Sequence, residues 1–230
     1  MSVEVAVAAG VAAEVAEARA GVYGFLSNLL LAPPTEAALA KLQEPSFIAG
    51  VALGLGVRAS SALEALRGGA SHSLESLVQE HNDLFVVPLG RYVAPYEAVY
   101  RGAQEEGDQW IAGPLQGEST LAVLAKYREA GAEIDERFLD LPDHIGMELA
   151  FMQLLCELEA EARRRIDDEE TARLTSLQVS FLKGHLAVWA PALCQRIREM
   201  AKTPLYKGVA TLLEAYLDIE QKPVASGTRS

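Results

Sequence analysis

The sequence predicts an all-α fold, a single-domain helical bundle of about eight to ten helices. Three observations carry this expectation. Apolar residues recur at helical spacing: Leu74, Leu77, Val78, His81, Leu84 and Phe85 fall at i, i+3, i+4, i+7, i+10 and i+11, one wide helix face. The gaps between such stretches hold helix stops and starts, among them Pro33-Pro34, Pro45, Gly68-Gly69, Gly131, Pro142 and Thr203-Pro204. No stretch alternates apolar and polar residues as a half-buried strand would, and no repeat of fixed period appears.

The elements follow in order. Residues 1–10 are expected to be a flexible N-terminus, 11–220 the helical domain and 221–230 a disordered tail. Val15, Val22, Phe25, Leu26, Leu29 and Leu30 space a helix from Val11 to Leu31. Thr35 caps a short helix through Leu42, with Glu36 favourable in its first turn. Phe47–Leu55 and Arg58–Leu66 read as short helical pieces, and Ser71 or Ser73 caps the helix that follows. Residues 102–118 read as a Gly-rich acidic loop, after which Ser119 caps a helix to Ala130. Pro142 fits the first turn of a long helix, with Asp143 placed for the dipole. Leu174 to Trp189 space a further helix, which Pro191 is expected to kink or break. Thr203-Pro204 opens the last helix.

Composition narrows the function. The 230 residues are half apolar and 23% charged, which is globular composition with enough length for one sizeable core. The formal charge is -12. Phosphate binding needs clustered Lys and Arg, so nucleic acid and anionic membrane surfaces are excluded as partners, while basic partners are attracted. The Ala- and Val-rich start lacks a basic region and is interrupted by Glu4, Glu14 and Glu17, so it is not expected to act as a secretory signal. The longest uncharged run, Pro45 to Val57, is too short to span a bilayer. A cytoplasmic protein without stable membrane insertion is expected. Cys156 and Cys194 read as buried free thiols.

Two stretches depart from a plain helical scaffold. Glu80–Tyr100 (EHNDLFVVPLGRYVAPYEAVY) joins two helices through an apolar, aromatic segment stiffened by Pro88 and Pro95. Leu141–Met152 (LPDHIGMELAFM) has the same mix of proline, charge and apolar bulk. In the second, His144 and Glu148 share a helix face beside Asp143, a set able to do acid–base work. No metal is expected, because a di-metal bundle needs two Glu-x-x-His motifs and none occurs. No cofactor motif is present either: GxxxxGK[ST], GxGxxG and GxSxG are all missing. His81 and His185 lie on apolar faces and read as hydrogen-bonded core histidines.

Leu84-Phe85, Pro88-x-Gly90 and Pro95-Tyr96-Glu97-x-Val99-Tyr100, followed by Pro142-Asp143-His144-x-x-x-Glu148-Leu149-x-Phe151-Met152, resemble the TorD/DmsD/NarJ family. Phe181-Leu182-x-x-His185-Leu186-x-x-Trp189-x-Pro191 and Leu205-Tyr206-x-x-Val209-Ala210 add to the likeness, which spans about residues 23–217. The resemblance implies an all-helical redox-enzyme maturation chaperone without enzymatic activity. Such a protein binds the twin-arginine leader and apo form of a molybdoenzyme catalytic subunit until its cofactor is inserted. It further implies that Leu84, Pro88, Pro95, Tyr96, Pro142, Asp143 and His144 contact the leader.

The residues themselves agree in kind. Leu84, Val87, Leu89, Tyr92, Val93 and Tyr96 could line an apolar groove for the leader's apolar stretch, and Asp143, Glu97 or Glu148 could meet its arginines. On this reading the loop lies against the start of the Pro142 helix, and Asp143→Ala weakens peptide binding with little effect on stability. Two other readings stay open. One is a small-molecule binder or enzyme, for a nucleotide or pterin, built on Asp143, His144 and Glu148. The other is a helical scaffold whose loop is a dimer contact; monomer and homodimer are both compatible with the sequence.

Overall fold

The computed structural model describes residues 3–45, 49, 51, 57–107, 109–136 and 138–222. Most of the expected piece Phe47–Leu55 and most of the expected tail lie outside these residues. The chain is a single all-α domain, with one two-stranded hairpin among the described residues. The helices are α1 (Val3–Leu31), α2 (Glu36–Lys41), α3 (Val57–Gly69), α4 (Leu74–His81), α5 (Glu97–Arg101), α6 (Glu118–Glu129), α7 (Ile145–Arg164), α8 (Asp168–Phe181), α9 (Ala187–Met200) and α10 (Pro204–Glu220). Strands β1 (Gln104–Glu106) and β2 (Gln109–Ile111) pair antiparallel between α5 and α6.

The long helices α1 and α7 pack along each other, α8 covers α7, and α10 bridges α3 and α9. Gly146 shows how close the first pair runs: a Cβ there would sit 2.3 Å from Leu31 Cγ. Tyr23, Leu26, Leu149, Met152, Phe181, Trp189 and Tyr206 are among the fully buried side chains of one continuous core. At the far end a polar clamp joins four helices. Arg19 on α1 bonds Glu159 on α7 (3.0 Å), Gln178 on α8 (2.7 Å) and Glu220 on α10 (2.6 Å). Such a half-buried charge is tolerable because every arm has a partner. Cys156 and Cys194 are buried free thiols, as expected.

Several boundaries differ from the sequence reading. Helix α1 begins at Val3, eight residues before the predicted Val11, and its first buried positions are Ala13 and Ala16, which pack against Ala160. Ser119 does not cap α6; Gly117 holds that position, and its N–H donates to Thr120 Oγ1 at 3.2 Å. The 102–118 segment is not all loop, since the hairpin sets Trp110 against Tyr100 (5.7 Å) and under Arg196 (4.5 Å). Thr203 makes no side-chain cap; Glu80 of α4 accepts from its N–H (2.9 Å) and its hydroxyl instead. Pro191 breaks nothing: α9 runs through it, and the irregularity lies upstream as a wide π turn at Leu182–Leu186.

Candidate functional site

A second π turn, Asn82–Val86, ends α4 and opens the apolar loop. Leu84 points into the core, and its carbonyl accepts from Val93 N–H at 2.7 Å. That bond closes the neck of the loop and leaves the tip outside. Val86, Val87 and Leu89 are 59%, 42% and 75% exposed, and Pro88 beside them is exposed too. Gly90 turns the tip at φ 61°, a left-handed conformation that other residues adopt at a cost. Arg91 then pins the returning strand, bonding Asp83 (2.6 Å) and the Met200 carbonyl (3.1 Å).

The far end of the loop meets the second motif in a short backbone joint. Ile145 N–H donates to the Pro95 carbonyl (2.8 Å), and Glu97 N–H donates to the Asp143 carbonyl (3.0 Å). Tyr96 and His144 pair between them as an antiparallel bridge, their rings edge to face at 5.4 Å. The loop therefore lies against the start of the helix from Pro95 to Glu97, while the Val86–Gly90 tip stands away from it. Helix α7 starts at Ile145 rather than Pro142. His144 is its N-cap, with Nδ1 accepting from Gly146 N–H at 3.0 Å. That role needs a bare Nδ1, and burial lowers the His144 pKa to about 4.

Beneath the joint sits a buried polar cluster. Glu97, Asp143 and Glu148 have no exposed surface. Asp143 Oδ2 accepts from Ala98 N–H (3.0 Å) and Thr120 Oγ1 (3.0 Å), so it caps α5 from a distance and does not serve the dipole of α7. Glu97 Oε1 accepts from Arg101 (2.9 Å), and Oε2 faces His185 Nδ1 (2.8 Å). Glu148 Oε2 accepts from Trp189 Nε1 at 3.2 Å. Burial, and then the nearby Glu97 carboxylate, push Glu148 well above the usual carboxylate range. Asp143 is raised too, chiefly by burial. Glu148 Oε1 is buried without a hydrogen-bond partner among the described residues, and the raised pKa favours the protonated carboxyl there. His185 is a buried histidine held through Nδ1 by Glu97, and His81 is another, facing Tyr206 Oη at 3.0 Å; both are hydrogen-bonded in the core, as the sequence suggests.

The nine residues singled out from the sequence thus occupy three layers. Pro88 is exposed at the tip. Tyr96 and Pro142 are half-buried at the joint, Pro95 and His144 are buried there, and Leu84 is buried in the core at the neck of the loop. Glu97, Asp143 and Glu148 lie below, where an incoming arginine meets none of them in this conformation. The acid that is exposed at the joint is Asp140, which accepts from Tyr96 Oη at 2.9 Å, and Leu139 beside it is 94% exposed. Sequence reasoning passed over Asp140 because nothing in its spacing sets it apart from other surface acids. It also missed the pairing of His185 and Trp189 with the glutamates. Their i,i+4 spacing put them on one face, but only the fold says what that face meets.

An all-helical body that keeps an apolar loop tip in solvent beside a rigid joint has the form of a helical binding protein. The family model described as nitrate reductase delta subunit matches residues 49–195, a span that includes both motifs. The chain belongs to this family, and with it to the TorD/DmsD/NarJ group of redox-enzyme maturation chaperones. Two relatives, each named Chaperone protein TorD, come from Vibrio cholerae serotype O1. The one from strain M66-2 is 24% identical over 209 residues, and the one from strain ATCC 39541 is 25% identical over 209 residues. Each alignment covers 87% of this chain and 89% of the relative. A crystal structure from Archaeoglobus fulgidus, described as a candidate redox enzyme maturation protein, is similar with 20% identity and a TM-score of 0.48, covering 87% of this chain and 93% of that one.

Proposed function

We propose that the chain is a cytoplasmic chaperone that binds the twin-arginine leader and apo form of a molybdenum-cofactor oxidoreductase, and holds it until the cofactor is inserted. Family membership supports the class. The observation that carries the ligand is the loop tip. Val86, Val87 and Leu89 are held in water by the Leu84–Val93 bond and by the Arg91 anchor, although burying what each still exposes would be favourable by roughly 1 kcal/mol apiece. An apolar leader segment would cover them. The basic end of the leader suits the -12 charge of the chain, with Asp140 as the exposed acid nearest the joint. Pro88, Tyr96 and Pro142 fit direct contact, whereas Glu97, Asp143, His144 and Glu148 act by keeping the joint rigid. The small-molecule enzyme reading loses support, because its three residues are buried and tied into the fold. Calorimetric titration with twin-arginine leaders from several molybdoenzymes tests the proposal. Saturable heat from at least one is expected, and no heat from any would overturn it.

A further inference from the structure

We propose that a cleft on the outer side of α5 binds an oxyanion, a phosphate or carboxylate group carried by a small molecule. The cleft has a volume of about 540 Å³ and lies between α5, the hairpin end and the start of α6, with Gly184 and His185 as its floor. That volume is within the range of small-molecule sites, roughly 300–1,000 Å³. None of its lining residues belongs to the loop tip or to residues 142–144.

Three kinds of donor converge there. His185 is 6% exposed, its Nδ1 is engaged by Glu97, and no described residue bonds its Nε2. A histidine oriented by a buried carboxylate, with its other nitrogen toward a cleft, is fixed in direction before any ligand arrives. Arg101 spends NH1 on Glu97 (2.9 Å) and the Gly184 carbonyl (2.7 Å), and its remaining N–H groups bond no described residue. Those two bonds hold the guanidinium fork at the cleft wall, the geometry that carboxylates and phosphates accept from. The first backbone amides of α6, at Glu118 and Ser119, have no side-chain cap and line the same space. Gly102, Gly117 and Gly184 keep the walls low enough for backbone contact. Glu97 does not oppose an anion strongly, because Arg101 pairs with it at 2.9 Å and its other oxygen faces His185 Nδ1 rather than the cleft. The exposed Glu118 carboxylate does oppose it.

The test is calorimetry and thermal shift at fixed ionic strength, with inorganic phosphate and pyrophosphate in one arm and citrate in the other. Saturable binding in either arm is expected, and the stronger arm identifies the group. Ala122→Phe fills the cleft from an exposed position on α6 and should abolish binding without lowering Tm. Arg101→Gln should weaken binding about tenfold, and Glu118→Gln should tighten it about threefold. No saturable binding in either arm, or binding unchanged by Ala122→Phe and Arg101→Gln, would overturn the proposal. Leader binding should be the same in Ala122→Phe as in the wild type, so this site and the loop tip fail or stand separately.

Discussion

Replacing Asp143 by alanine should destabilise the fold, against the expectation from sequence that it would barely do so. The side chain has no exposed surface, and one oxygen accepts from both Ala98 N–H and Thr120 Oγ1 at 3.0 Å. Alanine would leave both donors buried without a partner. Each such loss costs about 1–3 kcal/mol. Part is returned, because burial and the nearby Glu97 already disfavour the Asp143 charge. A net loss of about 3 kcal/mol is expected, which for a domain of this size lowers Tm by on the order of 6–12 °C. Asparagine keeps an acceptor and should lose about a third as much. Differential scanning calorimetry of the two variants measures this. A Tm for Asp143→Ala within a degree of the wild type would refute the assignment of Asp143 as a remote cap.

Three further outcomes follow from the same region. Glu148→Gln should leave Tm nearly unchanged in acid and raise it increasingly as pH rises. The folded state raises the Glu148 pKa, so the stability of the protonated form is full below the unfolded value and is lost as pH climbs through the folded one; a pH series of melts checks this. His144 behaves in the opposite sense. Its pKa falls from 6.5 to about 4, so stability is complete above 6.5 and drops by up to about 3 kcal/mol as pH falls toward 4. His144→Asn keeps a cap acceptor for Gly146 N–H and should lessen the loss in that window in the same melts, leaving the share of His81, whose pKa burial also lowers to about 4. Gly146→Ala should cost about 1–3 kcal/mol, read by urea denaturation, because its methyl group would meet Leu31 Cγ at 2.3 Å and push α1 from α7.

Much of this was legible in the sequence, for physical reasons. Helical spacing of apolar residues and the proline and glycine stops fix the all-α class and most elements. Thr35 and Ser73 cap their helices as read, through bonds from Ala38 N–H (3.2 Å) and Ser76 N–H (3.3 Å). The expected pairing of the Pro88–Tyr96 loop with the Pro142 motif holds at one end only: the Pro95–Ile145 and Glu97–Asp143 bonds make it there, while the tip around Pro88 stands away. Direction of side chains was not legible. Asp143, Glu97 and Glu148 look like surface acids in a string of letters, because burial of a carboxyl depends on donors that come from elsewhere in the chain. Here those donors are Thr120, Arg101, His185 and Trp189, which lie 23, 4, 88 and 41 residues away along the sequence. The cap of α7 escaped for the same reason, being supplied by an imidazole; Thr203 sits at the N-cap of α10 as read, but its N–H and hydroxyl donate to Glu80 from 123 residues away.

The central claim is that the exposed tip of the loop, and not the buried acids, receives the leader. It is tested most directly by titrating one twin-arginine leader into the wild type, Leu89→Asp and Asp143→Asn. Leu89 is 75% exposed and can carry a charge without disturbing the core. Leu89→Asp should therefore keep the wild-type Tm and bind the leader at least tenfold more weakly, while Asp143→Asn melts lower and, where still folded, binds as the wild type does. Unchanged affinity in Leu89→Asp, with binding lost in folded Asp143→Asn, would contradict the account.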